Sequence, residues 1–255
     1  MQDKESITST VVNGIATITF FHPQSNSLPG KLLRELAATI TSTAAGKDVK
    51  VIILRSLGEK TFCAGASFDE LASIDNFETG KYFFSGFAAV INAMRKAPQL
   101  IICRVHGKTV GGGVGLACAA DYTLAHSSAS VKLSELAVGI GPFVVGPAVE
   151  RKIGTAAFSS LAIHATAWQQ AAWAREKGMY AELFETAEAL DEAVQSLAEK
   201  LATSNPEAMS QLKKIFWEGT GHWDTLLEER AEMSGRLVLS DFTKKAIAKF
   251  KTGVR

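Results

Sequence analysis

The chain has 255 residues, 47% of them hydrophobic and 21% charged, a balance that fits one large folded domain or a domain with an appendage and excludes a disordered chain. Twenty-seven basic residues against 26 acidic ones leave a net charge of +1, which gives no electrostatic footprint for nucleic acid. No apolar run is long enough to span a bilayer, and the polar start (Asp3, Lys4, Glu5) lacks the apolar centre of a signal peptide, so a cytoplasmic protein with no membrane partner is expected.

In chain order, residues 8–12 and 15–21 flank Asn13-Gly14, a strong hairpin signal because both turn positions need positive φ. Residues 30–44 carry Leu32, Leu33, Leu36 and Ile40 at helical spacing. Residues 49–54 and 100–105 are short apolar runs of the buried-strand kind, the second entered through Pro98. Between them the Phe-rich residues 68–97 read as helix with a loose section around 75–80. After the glycine cluster Gly111-Gly112-Gly113 and Gly115, residues 122–125 and 131–133 are short strand candidates. From Val145 onward the pattern is almost wholly helical, with residues 179–184 as the one late strand. Asn205 and Pro206 suit the N-cap and first position of a tail helix.

Strands alternating with helices, followed by a helical tail, predict an α/β fold with crossover connections. The tail is apolar at Leu226, Leu227, Met233, Leu237 and Val238. Packing on its own domain and contact with another subunit both fit that face.

Several chemistries drop out. The glycines at 111, 112, 113 and 115 do not make a GxGxxG turn. Gly107-Lys108-Thr109 is like the end of a P-loop, but Ile102 stands where its first glycine belongs. Gly65-Ala66-Ser67-Phe68-Asp69 begins like a nucleophile elbow and ends on Asp69 instead of glycine. His22, His106, His126, His164 and His222 form no helical ligand pair, and Cys63, Cys103 and Cys118 form no CxxC, so reduced thiols and no metal are expected.

Three segments remain. Phe62-Cys63-Ala64-Gly65-Ala66-Ser67 follows the first buried strand and Gly111-Gly112-Gly113 follows the second. Ligands of α/β sheets bind at that carboxyl edge, small residues there let a ligand reach the backbone, and a helix starting at Gly112 offers unpaired N–H groups. Two such turns side by side would aim two donors at one oxygen, an oxyanion hole. Tight connections and close helix packing account for the same glycines. The third segment is Ser134-Glu135 with Gly139-Ile140-Gly141-Pro142-Phe143 behind it. Glu135 fits an acidic first helical turn behind a capping serine, or a carboxylate for proton transfer.

As an ordered set, these segments resemble the crotonase superfamily, the enoyl-CoA hydratase/isomerase family. The resemblance starts at Phe21-His22-Pro23 and Asn26-Ser27-Leu28 and runs through Ala64-Gly65-Ala66, the triple glycine and Asp121. It continues with Ser134-Glu135 and Gly139-Ile140-Gly141-Pro142, and ends in the tail with Phe250. It implies an α/β fold, a crotonase-type spiral of ββα units over residues 1–195, with a C-terminal helical trimerisation region over 196–255. It implies an acyl-CoA substrate, no cofactor beyond the coenzyme A of that substrate, and a homotrimer or dimer of trimers.

The site residues implied by position are Ala66 and Gly112 as the two N–H donors to a thioester oxygen and Glu135 as acid and base. Gln24, Ser25, Ser27, Ala64 and Phe68 would lie along the CoA track, and Gly111, Pro142 and Phe143 against the substrate. An apolar wall including Phe143 and Val144 is expected to raise the Glu135 pKa.

Three positions depart from the family pattern. Gly115, after Val114, stands where hydratases usually carry a first glutamate. Ser67 replaces the usual aspartate. Phe143, eight residues after Glu135, stands where dienoyl-CoA isomerases and haloaryl-CoA dehalogenases carry an aspartate. One carboxylate suits a Δ3,Δ2-enoyl-CoA isomerase. However, Gly111 to Gly115 and Leu133-Ser134-Glu135 are similar to the methylglutaconyl-CoA hydratase branch, which puts a hydratase first. A catalytically weak acyl-CoA-binding subunit is the alternative of a different class.

Overall fold

The computed structural model describes residues 4–252. Asp3 lies outside the described residues, as does the side chain of Phe250. Strands β1 (Ser6–Val12) and β2 (Ile15–Phe21) form the expected antiparallel hairpin, with Asn13 at φ +51° and Gly14 at φ +80°. After β3 (Ser27–Leu28), α1 (Gly30–Ala44) covers the residues its periodicity predicts and buries Leu32, Leu33, Leu36 and Ile40. Each of these side chains contributes about 1.5–3 kcal/mol by leaving water.

Next come β4 (Val51–Ser56), β5 (Thr61–Cys63), β6 (Gly65–Ala66), α2 (Phe68–Ser73) and α3 (Phe77–Lys96). The loose section in the Phe-rich stretch is shorter than expected. The helix resumes early because Asn76 caps α3, its Oδ1 accepting from Thr79 N at 2.9 Å. Strand β7 (Leu100–Val105), β8 (Lys108–Val110) and α4 (Gly112–Ala119) follow, then β9 (Tyr122–His126) and β10 (Ser130–Lys132). A single 3-10 turn, Glu135–Val138, leads to α5 (Gly146–Ile163), which breaks at Gly154 (φ +76°). The chain continues through β11 (Gln169–Gln170), α6 (Ala171–Glu176), β12 (Glu182–Phe184) and α7 (Ala187–Ala202). It ends with α8 (Pro206–Phe216), α9 (Trp223–Leu237) and α10 (Asp241–Thr252).

A six-stranded sheet runs β1-β2-β4-β7-β9-β12, parallel except for the first hairpin. A second sheet runs β11-β10-β8-β5, and β3 pairs with β6. The pairs β4/β5, β7/β8 and β9/β10 each send one strand to the large sheet and the next to the small one. A helical segment follows each pair, which is the ββα repeat implied by the resemblance. Both faces of the large sheet are covered. On one side Ile52 and Leu54 join the main core; on the other Val51, Ile53, Ile102 and Leu124 pack under Leu190, Val194 and Ala198 of α7. That is why these strands read as unbroken apolar runs.

Residues 195 and 196, the expected boundary between core and tail, both lie inside α7. Beyond α7 the tail is bound to the core by a buried network. Lys213 Nζ of α8 is 2.9 Å from Asp121 Oδ2 and 2.8 Å from Gln99 O, and Trp217 Nε1 donates to Asp121 Oδ1 at 2.9 Å. The apolar face of the tail divides: Leu227 and Val238 are buried in the domain, while Met233 and Leu237 are exposed.

The loops at the sheet's carboxyl edge hang on Asn26. Its Nδ2 donates to Leu57 O (2.7 Å) and Thr61 O (2.9 Å), and its Oδ1 accepts from His22 N (2.8 Å). Residue 26 is also in the left-handed region, φ +55°, which Asn tolerates better than most side chains. Ala64 N in turn donates to Ser25 O (3.2 Å), so the clamp fixes the start of the segment 64–66. Asn26→Ala should cost about 2–4 kcal/mol, from lost buried hydrogen bonds and an unfavourable φ. Urea unfolding checks this; a change below about 0.5 kcal/mol would mean that the clamp carries no stability.

Candidate active site

The two small-residue turns abut. A Cβ on Gly65 would lie 3.2 Å from Gly112 N and 2.9 Å from Val110 O. Gly112 is the first residue of α4, so its N–H has no acceptor within the helix. Gly111, its N-cap, has φ +52°, a backbone state that a larger residue resists. The carboxylate of Glu135 occupies the space beside it: a Cβ on Gly111 would be 2.9 Å from Glu135 Oε1.

Ala64, Ala66, Phe68, Gly111, Gly112, Glu135, Pro142 and Phe143, all named from the sequence, line one cavity of about 600 Å³, part of it open to solvent. Gln24, Ser25 and Ser27 are not among its lining residues. Gln24 and Ser25 sit on the exposed loop after β2, where Gln24 Nε2 donates to Asp69 Oδ2 at 3.0 Å, and Ser27 is buried in β3. Ser67 caps α2, its Oγ accepting from Glu70 N at 3.4 Å. Ser134 makes no side-chain cap, and the turn it precedes is a single 3-10 turn, so the expected capping serine is corrected.

The remaining walls include Leu71, Phe84, Phe87, Val138, Ile140, Val144, Val145 and Ser234. Phe84 and Phe87 lie in the stretch that the sequence marks as helical, which does not say what they face. Their role follows from contact: a Cβ on Gly112 would be 2.0 Å from Phe87 Cε1, so the glycine lets α3 press its ring against the α4 terminus. Ser234 reaches the cavity because α9 crosses α3 at two glycines. A Cβ on Gly80 would meet Gly235 O at 2.9 Å, and one on Gly235 would meet Lys81 N at 2.6 Å. Gly115 has a similar explanation: Val145 fills the space where its side chain would begin, at 2.5 Å.

The electrostatics of Glu135 follow from these walls. Its Oε2 is fully enclosed and has no hydrogen-bond partner. Burial pushes the carboxyl pKa up from the ordinary 4.5 to about 7, opposed weakly by its own backbone N–H. The cysteines are free and buried, and burial pushes the Cys63 and Cys118 thiols up to about 12, which leaves them as packing groups. Among the described residues, no His, Cys, Asp and Glu cluster could hold a metal, and no helix is long and apolar enough to cross a membrane.

The model of the enoyl-CoA hydratase/isomerase family matches residues 10–252. The chain belongs to that family. It is 26% identical over 247 residues to a probable enoyl-CoA hydratase of Bacillus subtilis (strain 168), covering 96% of this chain and 95% of that one. It is 38% identical over 117 residues to the mitochondrial methylglutaconyl-CoA hydratase of Rattus norvegicus, a match spanning 46% of this chain and 37% of that protein. A putative enoyl-CoA hydratase structure from Mycobacterium avium paratuberculosis K-10 shares the fold, with a TM-score of 0.87, 22% identity and 97% of each chain covered. The fold implied by the three segments is thereby established, and the family's chemistry can be read against the geometry.

The raised Glu135 pKa is also a statement about stability. The folded chain holds the proton more tightly than the unfolded one. The contribution is therefore complete below pH 4.5 and is lost as pH rises through about 7. Glu135→Gln removes the ionisation, so the variant should match its parent near pH 4.5 and exceed it by about 1–3 kcal/mol at pH 8. Urea midpoints at both pH values measure this, and equal stability at pH 8 would show that the carboxyl is not desolvated.

Proposed function

We propose that the protein is an enoyl-CoA hydratase that adds water across the double bond of a 2-enoyl-CoA. The observation that carries this reading is the enclosed, unpartnered Oε2 of Glu135 in the cavity that Ala66 and Gly112 also line. The N–H groups of Ala66 and Gly112 bind the thioester oxygen and stabilise the charge that develops there as the enolate forms. Glu135 takes a proton from water as the water oxygen bonds C3, then delivers a proton to C2. Both the hydroxyl and the hydrogen come from one water, and the carboxylate ends in its starting state. A pKa near 7 suits a group that must both accept and release a proton.

The coenzyme A portion is assigned to the track Gln24, Ser25, Ser27, Ala64 and Phe68, and the acyl portion to the cavity beside Gly111, Pro142 and Phe143. The exposed apolar residues of the tail, including Met233 and Leu237, support association as a trimer or a pair of trimers. The working location proposed is the cytoplasm.

A second reading, Δ3,Δ2-enoyl-CoA isomerase, is favoured by one observation. Val145 occupies the space at Gly115, and among the described residues a single carboxylate lines the cavity. Isomerisation needs only one base to collect a proton at C2 and return it at C4.

Crotonyl-CoA and 3-hexenoyl-CoA separate the two reactions. Purified protein should hydrate crotonyl-CoA, and Glu135→Gln should lower kcat by about 10²–10⁴-fold with KM little changed. Failure to hydrate any 2-enoyl thioester, with shift of the 3-hexenoyl double bond, would replace the hydratase by the isomerase. Full turnover in Glu135→Gln would remove both and leave an acyl-CoA binder.

A further inference from the structure

We infer that the acyl pocket takes uncharged, apolar enoyl groups and rejects acyl groups that end in a second carboxylate. This rests on the acyl-CoA reading of the cavity and adds the class of acyl group. Among the described residues, no Lys, Arg or His lines it. Apart from Glu135, its polar side chains are the hydroxyls of Ser134 and Ser234. Ser234 Oγ donates its proton to Arg230 O at 3.1 Å, one turn back on α9, and so has none to offer. The other walls are aliphatic, aromatic or small.

On α3 and α9, which build part of those walls, Lys81 and Arg236 are committed elsewhere. Lys81 of α3 is held 3.1 Å from Glu228 and 2.9 Å from Glu232. Arg236 of α9 lies 3.5 Å from Glu232 and over the Phe77 ring. Arg34 of α1 stacks on the Tyr82 ring and donates to Tyr82 O.

A terminal carboxylate brought into this cavity would lose its hydration and gain no counter-charge. It would also add like-charge repulsion at Glu135, which has no partner for Oε2. A methyl or ethyl group in the same place gains from burial. A methylglutaconyl group carries such a carboxylate, so the likeness to the rat methylglutaconyl-CoA hydratase stops short of the acyl group.

Two thioesters that differ only by that carboxylate test the inference: 3-methylcrotonyl-CoA and 3-methylglutaconyl-CoA. The kcat/KM for the neutral one should be higher by about 100-fold or more. Equal or better turnover of the diacid overturns the inference and leaves the hydratase reading standing. Binding of the saturated pair, butyryl-CoA and glutaryl-CoA, measured by calorimetry, needs no catalysis. Butyryl-CoA should bind more tightly by about 10-fold or more. If no enoyl thioester is hydrated, the hydratase reading fails while this pair still decides the charge preference, and equal affinities overturn it.

Discussion

A carboxylate oxygen without a partner is costly to bury, and the site is organised around keeping Glu135 Oε2 in that condition. Water would stabilise the anion and return its pKa to the ordinary range. Excluding it takes walls packed around that oxygen. Phe84 and Phe87 come from α3, Val144 and Val145 from the start of α5, and Ser234 from α9. Such walls approach only where the backbone opposite has no side chain. The glycines of the 111–115 turn meet that requirement: Gly111 admits the Glu135 carboxylate, Gly112 admits the Phe87 ring, and Gly115 admits Val145. One turn therefore creates both the helix start with its unpaired amide and the apolar surroundings beside it.

The same constraint reaches far from the cavity. The α9 helix delivers Ser234 through the Gly80–Gly235 crossing, and α10 covers the Glu135 turn. A Cβ on Gly139, just past that turn, would be 2.5 Å from the Phe242 ring and 2.6 Å from Thr243 Oγ1. The tail thus completes the site within a single chain as well as presenting apolar residues outward. Its attachment through Lys213, Asp121 and Trp217 belongs to the same mechanical chain, because a buried ion pair with each partner's bonds satisfied resists displacement of α8 relative to β7.

Much of this was legible in the sequence, unevenly. Elements set by local pattern came out well. The Asn13-Gly14 hairpin, α1 and β7 lie where turn chemistry and periodicity put them. The short strands β5, β6 and β8 were not read as strands, since pieces of two or three residues carry no period and exist only through pairing, β5 with β8, β8 also with β10, and β6 with β3. At the site, most of the residues named from the sequence share one cavity, Gln24, Ser25 and Ser27 excepted, but part of the reason for their pattern was not legible. The triple glycine was read as room for a ligand or as close helix packing, without the packing partners, and the structure shows that Gly112 and the nearby Gly115 are filled from behind by the protein itself. Phe87 and Val145 lie 25 residues before and 30 after Gly112 and Gly115 respectively, so no local pattern connects them. Ser234 was missed for the same reason: it lies in the tail, and only the helix crossing brings it inward.

The packing at Gly115 also bears on the chemistry. A second carboxylate at that position would need the volume held by Val145, a residue 4% exposed at the N-cap of α5. Exchanging only the glycine would overpack the cavity and strain the wall that desolvates Glu135. The apolar filling and the raised pKa are therefore one feature seen from two sides. Removing a first carboxylate takes away a group that could hold water by hydrogen bonds. It also removes a like charge that would have disfavoured ionisation of Glu135 and replaces it with hydrocarbon. The remaining carboxylate has its pKa set by desolvation, near the pH at which one group can both take and return a proton. That is the condition a single-carboxylate mechanism has to meet, whether the proton it moves comes from water or from the acyl chain.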